Sequence, residues 1–295
     1  QYILSLTELM MDFINLIYIM SIKSKNILFI IFAIFFALDV FLVFSFDNQD
    51  AINNSKIIFF DIGQGDATMV DIGGGVQILI DGGDGERILE KLGKFMPLFD
   101  RKVELLIVTH PDKDHMGGLV EVLKYYEVEQ IIETGIFCDT AICKEWDELV
   151  EEKNIPIKYA EFGQRININD IDIKILFPFE NLKDQKMKDD NESSIVLRID
   201  TENNSYLLTG DAGFAVENML LEKNIYIETK ILKIAHHGSK NATSNEFLRK
   251  VNPQKAVIPV GKNSYGHPAK ELLNRLKNLN VEFFRTDVSG DLVFE

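Results

Sequence analysis

Apolar and polar positions along this chain change their period several times. Residues 27–46 read ILFIIFAIFFALDVFLVFSF, in which only Asp39 and Ser45 are not apolar. Twenty helical residues span roughly 30 Å, the thickness of a bilayer core. The run has no polar face, so a soluble core helix fits it poorly and a membrane segment is predicted. In residues 2–22, Ser5, Glu8, Asp12 and Asn15 fall on one helical stripe in an apolar background. That pattern suits either a second membrane helix or an interfacial one. From residue 56 the pattern shortens. KIIFFDI (56–62), ATMVDI (67–72) and VQILID (76–81) read as antiparallel strands separated by Gly63-Gln64-Gly65 and Gly73-Gly74-Gly75. Helical stretches near 86–96, 117–125, 141–153, 214–223, 243–250 and 269–278 then alternate with strand-like runs. These runs lie near 103–109, 128–133, 193–200, 205–209, 229–235, 255–260 and 281–285. That alternation predicts a layered α/β domain over 47–295, and the charged stretch 183–192 reads as a surface loop.

The flanks of the apolar run give it a direction. Lys23 and Lys25 precede it, and Asp47 and Asp50 follow it with no base among them. The basic side stays in the cytoplasm, so residue 47 onward is expected on the extracytoplasmic side of the cytoplasmic membrane. Residues 1–46 are therefore read as the membrane part, with an uncleaved anchor at 27–46. The chain begins with Gln1, so its natural start is expected elsewhere, upstream in a longer membrane protein or at Met20.

Composition narrows the chemistry. Lys and Arg number 31 against 46 Asp and Glu, a net charge of -15, which disfavours any large basic face. A metal would have to supply local positive charge to an anionic substrate. Two cysteines exclude a disulfide scaffold and a Cys-only zinc module. Cys138 and Cys143 could be bridged or remain free thiols, since spacing alone does not fix the geometry.

All five histidines stand at the ends of predicted strands or in glycine-containing loops. VELLIVTH ends at His110, and Pro111-Asp112-Lys113-Asp114-His115 follows, so four ligand-type side chains occupy six residues. Pro111 stops the strand from running on as helix, and a two-metal site needs this density of N and O donors. The bland alternative is a solvated acidic turn. In SYLLTGDAG an apolar strand ends before Asp211, which is either a helix N-cap or a ligand. In ILKIAHHGS, His236 and His237 would point opposite ways from an extended strand, so one of them is expected as a direct ligand. Asn263-Ser264-Tyr265-Gly266-His267-Pro268 places a further histidine in a loop before a helix.

THPDKDHMGG resembles the HxHxDH metal motif of the metallo-β-lactamase superfamily, with Asp112 where that pattern has its second histidine. FFDIGQGDA, LIDGG, LLTGD, IAHHGS and NSYGHP follow in the order found in the branch that contains domains of DNA-internalisation competence proteins of the ComEC type. The resemblance covers about residues 56–295. It implies an αββα sandwich with a dinuclear site at one edge. His110 and Asp112 would serve one metal, Asp114 and His115 the other, with Asp211 bridging and His236 or His237 completing a sphere. A further family ligand near 191–194 is missing, because Asn191-Glu192-Ser193-Ser194 has no histidine. Losing two imidazoles to oxygen donors suits harder ions, so Mn²⁺ rivals Zn²⁺ as the pair of divalent ions.

The catalytic roles fall to Asp114, Asp211, His237 and His267. His236 is grouped with the metal set, and the choice between it and His237 stays open. Asp66 is a candidate for orienting water and Asp81 for fixing a ligand histidine, although either could simply cap a turn. Ser239, Asn263 and His267 are candidates for substrate oxygens. The leading expectation is a membrane-anchored, metal-dependent hydrolase of phosphodiesters, DNA first among them, working in DNA uptake beside other competence or membrane-channel subunits. Alternatives are hydrolysis of another ester or amide, such as a choline phosphoester of wall polymers or a β-lactam, and a non-catalytic module with a degenerate metal site. Structural zinc sites are closed and usually rich in Cys, whereas this motif is rich in carboxylates, which favours catalysis.

Overall fold

The structure is a computed structural model that describes residues 27, 29–38 and 55–295. Residues 27 and 29–38 are helical, and their large apolar side chains stand exposed, from 45% for Ile31 to 74% for Phe29. Among the described residues no helix is long and apolar enough to cross a membrane. The rest of the expected anchor at 27–46, and the stripe in 2–22, lie outside the described residues.

Asn54–Glu295 forms one compact unit. Its elements run β1 (Lys56–Phe59), β2 (Thr68–Gly73), β3 (Val76–Ile80), α1 (Arg87–Phe95), β4 (Lys102–Val103), β5 (Leu105–Ile107), α2 (Lys113–Tyr125), β6 (Glu127–Val128) and β7 (Ile131–Glu133). Then come α3 (Ala141–Lys153), β8 (Ile157–Tyr159), β9 (Arg165–Ile168), β10 (Ile171–Phe177), β11 (Val196–Asp200), β12 (Ser205–Leu208) and α4 (Phe214–Glu222). The last are β13 (Ile231–Lys233), α5 (Asn245–Val251), β14 (Lys255–Ile258), α6 (Lys270–Asn278), β15 (Glu282–Arg285) and β16 (Leu292–Phe294).

Two seven-stranded sheets result, in the orders β16-β1-β2-β3-β5-β7-β8 and β15-β14-β13-β12-β11-β10-β9, with β4 and β6 paired separately. Each sheet is antiparallel in one part and parallel in the other: β1, β2 and β3 pair antiparallel, whereas β5 pairs parallel with β3 and β7. The period of two sorts the side chains by layer. Ile57, Phe59, Ile78 and Ile107 of one sheet pack with Ile173, Ile199 and Leu208 of the other. The intervening Ile58, Met69 and Leu79 face Leu92, Leu119 and Trp146 of the first helical layer. On the far side, Val196, Leu207 and Leu232 face Val216, Phe247 and Leu272. A sheet apolar on both faces must be covered on both, and the αββα sandwich does that.

The expected strands at 103–109 and 128–133 each break in two, because β4 and β6 leave the main sheet to pair with each other. β8, β9, β10 and β16 are additional to the predicted set. Two glycine pairs fix how α2 meets β3. The Gly82 N–H donates to the His115 carbonyl and the Gly118 N–H to the Gly83 carbonyl, both at 2.7 Å. A Cβ on Gly118 would lie 1.9 Å from the Gly82 oxygen, so only glycine permits this approach. The first turn of α2 is thereby held against the loop that follows β3.

Candidate metal centre

The loops that follow β3, β5, β12 and β13 gather at one edge of the sandwich, and each delivers a polar side chain. Asp81 follows β3 in a left-handed conformation, φ 57°. It accepts from the Thr109 N–H at 2.8 Å and the Thr109 hydroxyl at 2.7 Å, and it lies 2.9 Å from His115 Nδ1. This pairing fixes the imidazole with Nε2 turned toward Asp211. Asp112 caps the start of α2 by position, but its side chain makes no capping bond and lies 3.7 Å from His110 Nε2. α4 is capped by Gly213, so Asp211 is not its N-cap.

Asp66, His115, Asp211 and His237 form a buried group whose donor atoms all lie within 4.8 Å of one another. The two oxygens of Asp211 face different rings, Oδ1 at 3.3 Å from His115 Nε2 and Oδ2 at 3.3 Å from His237 Nε2. Asp114 Oδ2 lies 3.1 Å from His237 Nε2. His110 stands beside this group, its ring centroid 4.1 Å from that of His115. At Asp114, Asp211 and His115 burial opposes the charged form, yet the pairings outweigh it. Burial raises the Asp114 carboxyl, but the His237 hydrogen bond and the charge of His115 hold it at about 2. Burial likewise opposes ionisation of Asp211, and the charges of His237 and His115 hold it well below its usual range. Burial alone would depress His115, but Asp211 and Asp81 hold it well above the usual imidazole value.

His110 Nε2 and His115 Nε2 are buried and have no aligned hydrogen-bond partner. Two imidazole nitrogens of this kind, beside carboxylates, are a donor set that divalent cations satisfy, so the residues fit a metal.

Other expected residues are placed differently from one another. His236 and His237 lie in a tight turn with φ 49° and 50°, not in an extended strand. His237 joins the cluster, whereas the His236 ring turns to His267, centroids 5.6 Å apart, and the His236 N–H donates to Asp211 Oδ1 at 3.1 Å. Asn263 spends its amide on its own loop: Nδ2 donates to the carbonyls of Gly261 and His267, and Oδ1 accepts from the N–H of Tyr265 and His267. It thus shapes the loop rather than facing a substrate. Ser239 is buried, with Oγ accepting from the Asn241 N–H. Asp66, expected to orient water, backs the cluster, with Oδ1 3.2 Å from His237 Nδ1 and Oδ2 3.9 Å from His115 Nδ1.

Two residues escaped the sequence reading. Lys233 is buried on β13, its ammonium lying against Asp66 Oδ2 and donating to the Gly210 carbonyl at 2.7 Å. Burial pushes its pKa well below the usual lysine value. The signal was a lone lysine inside the apolar run ILKIA. Ser194 accepts from the Asp211 N–H at 3.0 Å and lies 3.4 Å from His110 Nδ1, joining the two.

Cys138 and Cys143 are joined by a disulfide. It walls a cavity of about 290 Å³ next to His110, lined also by Met116, Glu133, Phe137, Trp146 and Tyr159. The Trp146 indole N–H donates to Glu133 at 2.9 Å. Burial pushes the Glu133 carboxyl from 4.5 up to about 7, opposed only in part by that bond. The folded state therefore holds this proton more tightly than the unfolded chain does. The resulting stability is present below pH 4.5 and is lost as pH rises through about 7, in all roughly 3 kcal/mol. Glu133→Gln keeps an acceptor for Trp146 and removes the ionisation. Its melting temperature should exceed that of the parent above pH 7 and match it near pH 4.5. A gap independent of pH would show that Glu133 ionises normally.

The family profile described as "Metallo-beta-lactamase superfamily" matches residues 60–262. "ComE operon protein 3" of Bacillus subtilis (strain 168) is 30% identical over 195 residues, covering 66% of this chain and 25% of that protein. "Competence protein ComA" of Neisseria gonorrhoeae is 32% identical over 198 residues, covering 66% of this chain and 25% of that protein. The chain thus spans about a quarter of the length of these curated relatives. Its likeness is to competence proteins of the ComEC type. The solved metallo-beta-lactamase fold protein YhfI from Bacillus subtilis superposes with a TM-score of 0.55 at 12% identity, over 82% of this chain and 99% of that one. At that identity the likeness concerns the fold.

Proposed function

The chain belongs to the metallo-beta-lactamase superfamily, and from that premise we propose that it is a hydrolase of phosphodiesters dependent on two divalent ions, Mn²⁺ or Zn²⁺, with DNA as its substrate. The observation that carries the reading is the buried carboxylate of Asp211 between two imidazoles, beside the unpartnered nitrogens of His110 and His115. Asp114, His115 and His237 would hold one ion, His110 and Asp112 the other, and Asp211 would reach both, while Asp66 backs the rings of His115 and His237 on their Nδ1 side. When bound, such ions lower the pKa of water and offset the charge of a phosphodiester, which an acidic protein otherwise repels.

The chain's own residues do the rest. Asp81 holds His115 by Nδ1, and the Pro259 carbonyl lies 3.1 Å from His237 Nδ1, so both rings keep Nε2 for the centre. The Lys233 amine lies against Asp66 and donates to the Gly210 carbonyl, which holds that carboxylate in place. His267 has a buried Nδ1 without a partner beside His236, and would handle a proton at the mouth. The test is hydrolysis of bis(p-nitrophenyl) phosphate by the full chain. Metal-dependent release of nitrophenol is expected, and its absence with either ion would end the phosphodiester reading.

The run 27–46 is taken as a membrane anchor that sets the domain on the extracytoplasmic side, with membrane-channel or competence subunits as neighbours. Lys23 and Lys25 support that direction, and a disulfide suits an oxidising compartment. Protection of the domain from protease outside intact spheroplasts would contradict it.

A further inference from the structure

Two loops flank the centre, residues 234–244 after β13 and 259–269 after β14. In a chain of net charge -15, neither loop contains Asp or Glu, while they carry Lys240 and Lys262 and lead to Lys270 at the start of α6. Between them lies a groove of about 590 Å³, lined by His236, Ser239, Lys240, Tyr265, His267 and Lys270, with Glu271 the carboxylate at its margin. The groove starts at the centre itself, because His236 donates its N–H to Asp211.

Three rings then lead outward. His236 meets His267 edge to face at 5.6 Å, and Tyr265 lies 5.8 Å from His267. Tyr265 is 75% exposed, yet its backbone is fixed, since its N–H donates to the Asn263 amide that also ties down Gly261 and His267. A large ring held in solvent on a braced loop, in a groove that two amines and a single carboxylate line, has the features of a stacking platform beside a backbone track. Phosphates attract the amines, and an unpaired base presents a π-face to the tyrosine, which a base inside a duplex cannot do.

We propose that this groove is the track by which single-stranded nucleic acid reaches the centre, with phosphates on Lys240 and Lys270 and a base stacked on Tyr265. The proposal rests on the phosphodiester reading above. It is tested on the full, metal-loaded chain by fluorescence anisotropy with a labelled oligothymidine whose phosphorothioate links resist cleavage. Tyr265→Ala is expected to weaken binding about 5- to 100-fold, and Tyr265→Phe to restore it. An abasic strand of equal length should bind the parent weakly and be indifferent to Tyr265→Ala. Replacing Lys240 and Lys270 together by Gln should lower the slope of log affinity against log salt by about 1.4.

Equal binding by parent and Tyr265→Ala overturns the platform, and so does a duplex or an abasic strand held as tightly as the single strand. Hydrolysis of bis(p-nitrophenyl) phosphate by the unaltered chain separates the two readings. Turnover without Tyr265-dependent binding removes the groove alone. Binding without turnover removes the hydrolase reading and leaves the groove.

Discussion

Asp211→Asn should lower turnover of a small phosphodiester at least ~100-fold while leaving the chain folded, the scale of loss when a key electrostatic group is removed. The substitution keeps the size and one oxygen, and that oxygen can still accept from the His236 N–H. What it removes is the charge and the second oxygen that faces His237. As an N-cap Asp and Asn are nearly equivalent, but Gly213 holds that position in α4, so the capping account predicts no effect at all. The stability cost has a pH signature. Asp211 and Asp81 raise the His115 pKa in the metal-free protein, so this contribution is full below pH 6.5 and fades as pH climbs through the raised folded value. Metal-free Asp211→Asn should therefore melt lower than the parent at acidic pH and close to it at alkaline pH. Activity within a few-fold of the parent would remove Asp211 from the chemistry.

The second large effect is loss of metal in His115→Ala. His115 is fully buried, Asp81 holds its Nδ1, and its Nε2 has no aligned partner. The bond that docks α2 on the loop after β3 uses the His115 carbonyl, not the ring, so removing the ring spares that contact. Elemental analysis of the purified variant should find at least one ion fewer per chain than in the parent. Equal metal content in a folded variant would take His115 out of the ligand set.

Part of this arrangement was legible because several candidate ligands sit just after an apolar run. His110 follows VELLIVT, Asp211 follows SYLLTG and the pair His236-His237 follows ILKIA, and strands in layered α/β folds present such ends at one edge. The helix over 141–153 falls where its period placed it. β9 and β10 were absent from the expected strands although RININDIDIK alternates polar residues with isoleucine, the period of a half-buried strand. β16 is three residues long and pairs with β1 at the other end of the domain, Ile57 opposite Phe294, which no local pattern reveals. The choice between His236 and His237 turned on backbone conformation. An extended strand would have splayed the two rings, whereas the left-handed turn sends one ring to the cluster and the other to the groove. Lys233 was hidden for a related reason: a lysine in an apolar strand suggests an amine that snorkels to water, and only the fold shows it buried against Asp66.

The most direct measurement of the central claim follows bound metal and activity together. The full chain is stripped with a chelator and titrated with Mn²⁺ or Zn²⁺, and ions per chain and hydrolysis of bis(p-nitrophenyl) phosphate are read on the same samples. The account predicts turnover that rises as the sites fill and saturates at about two ions per chain. Saturation at one ion, or two bound ions with no turnover, would contradict it.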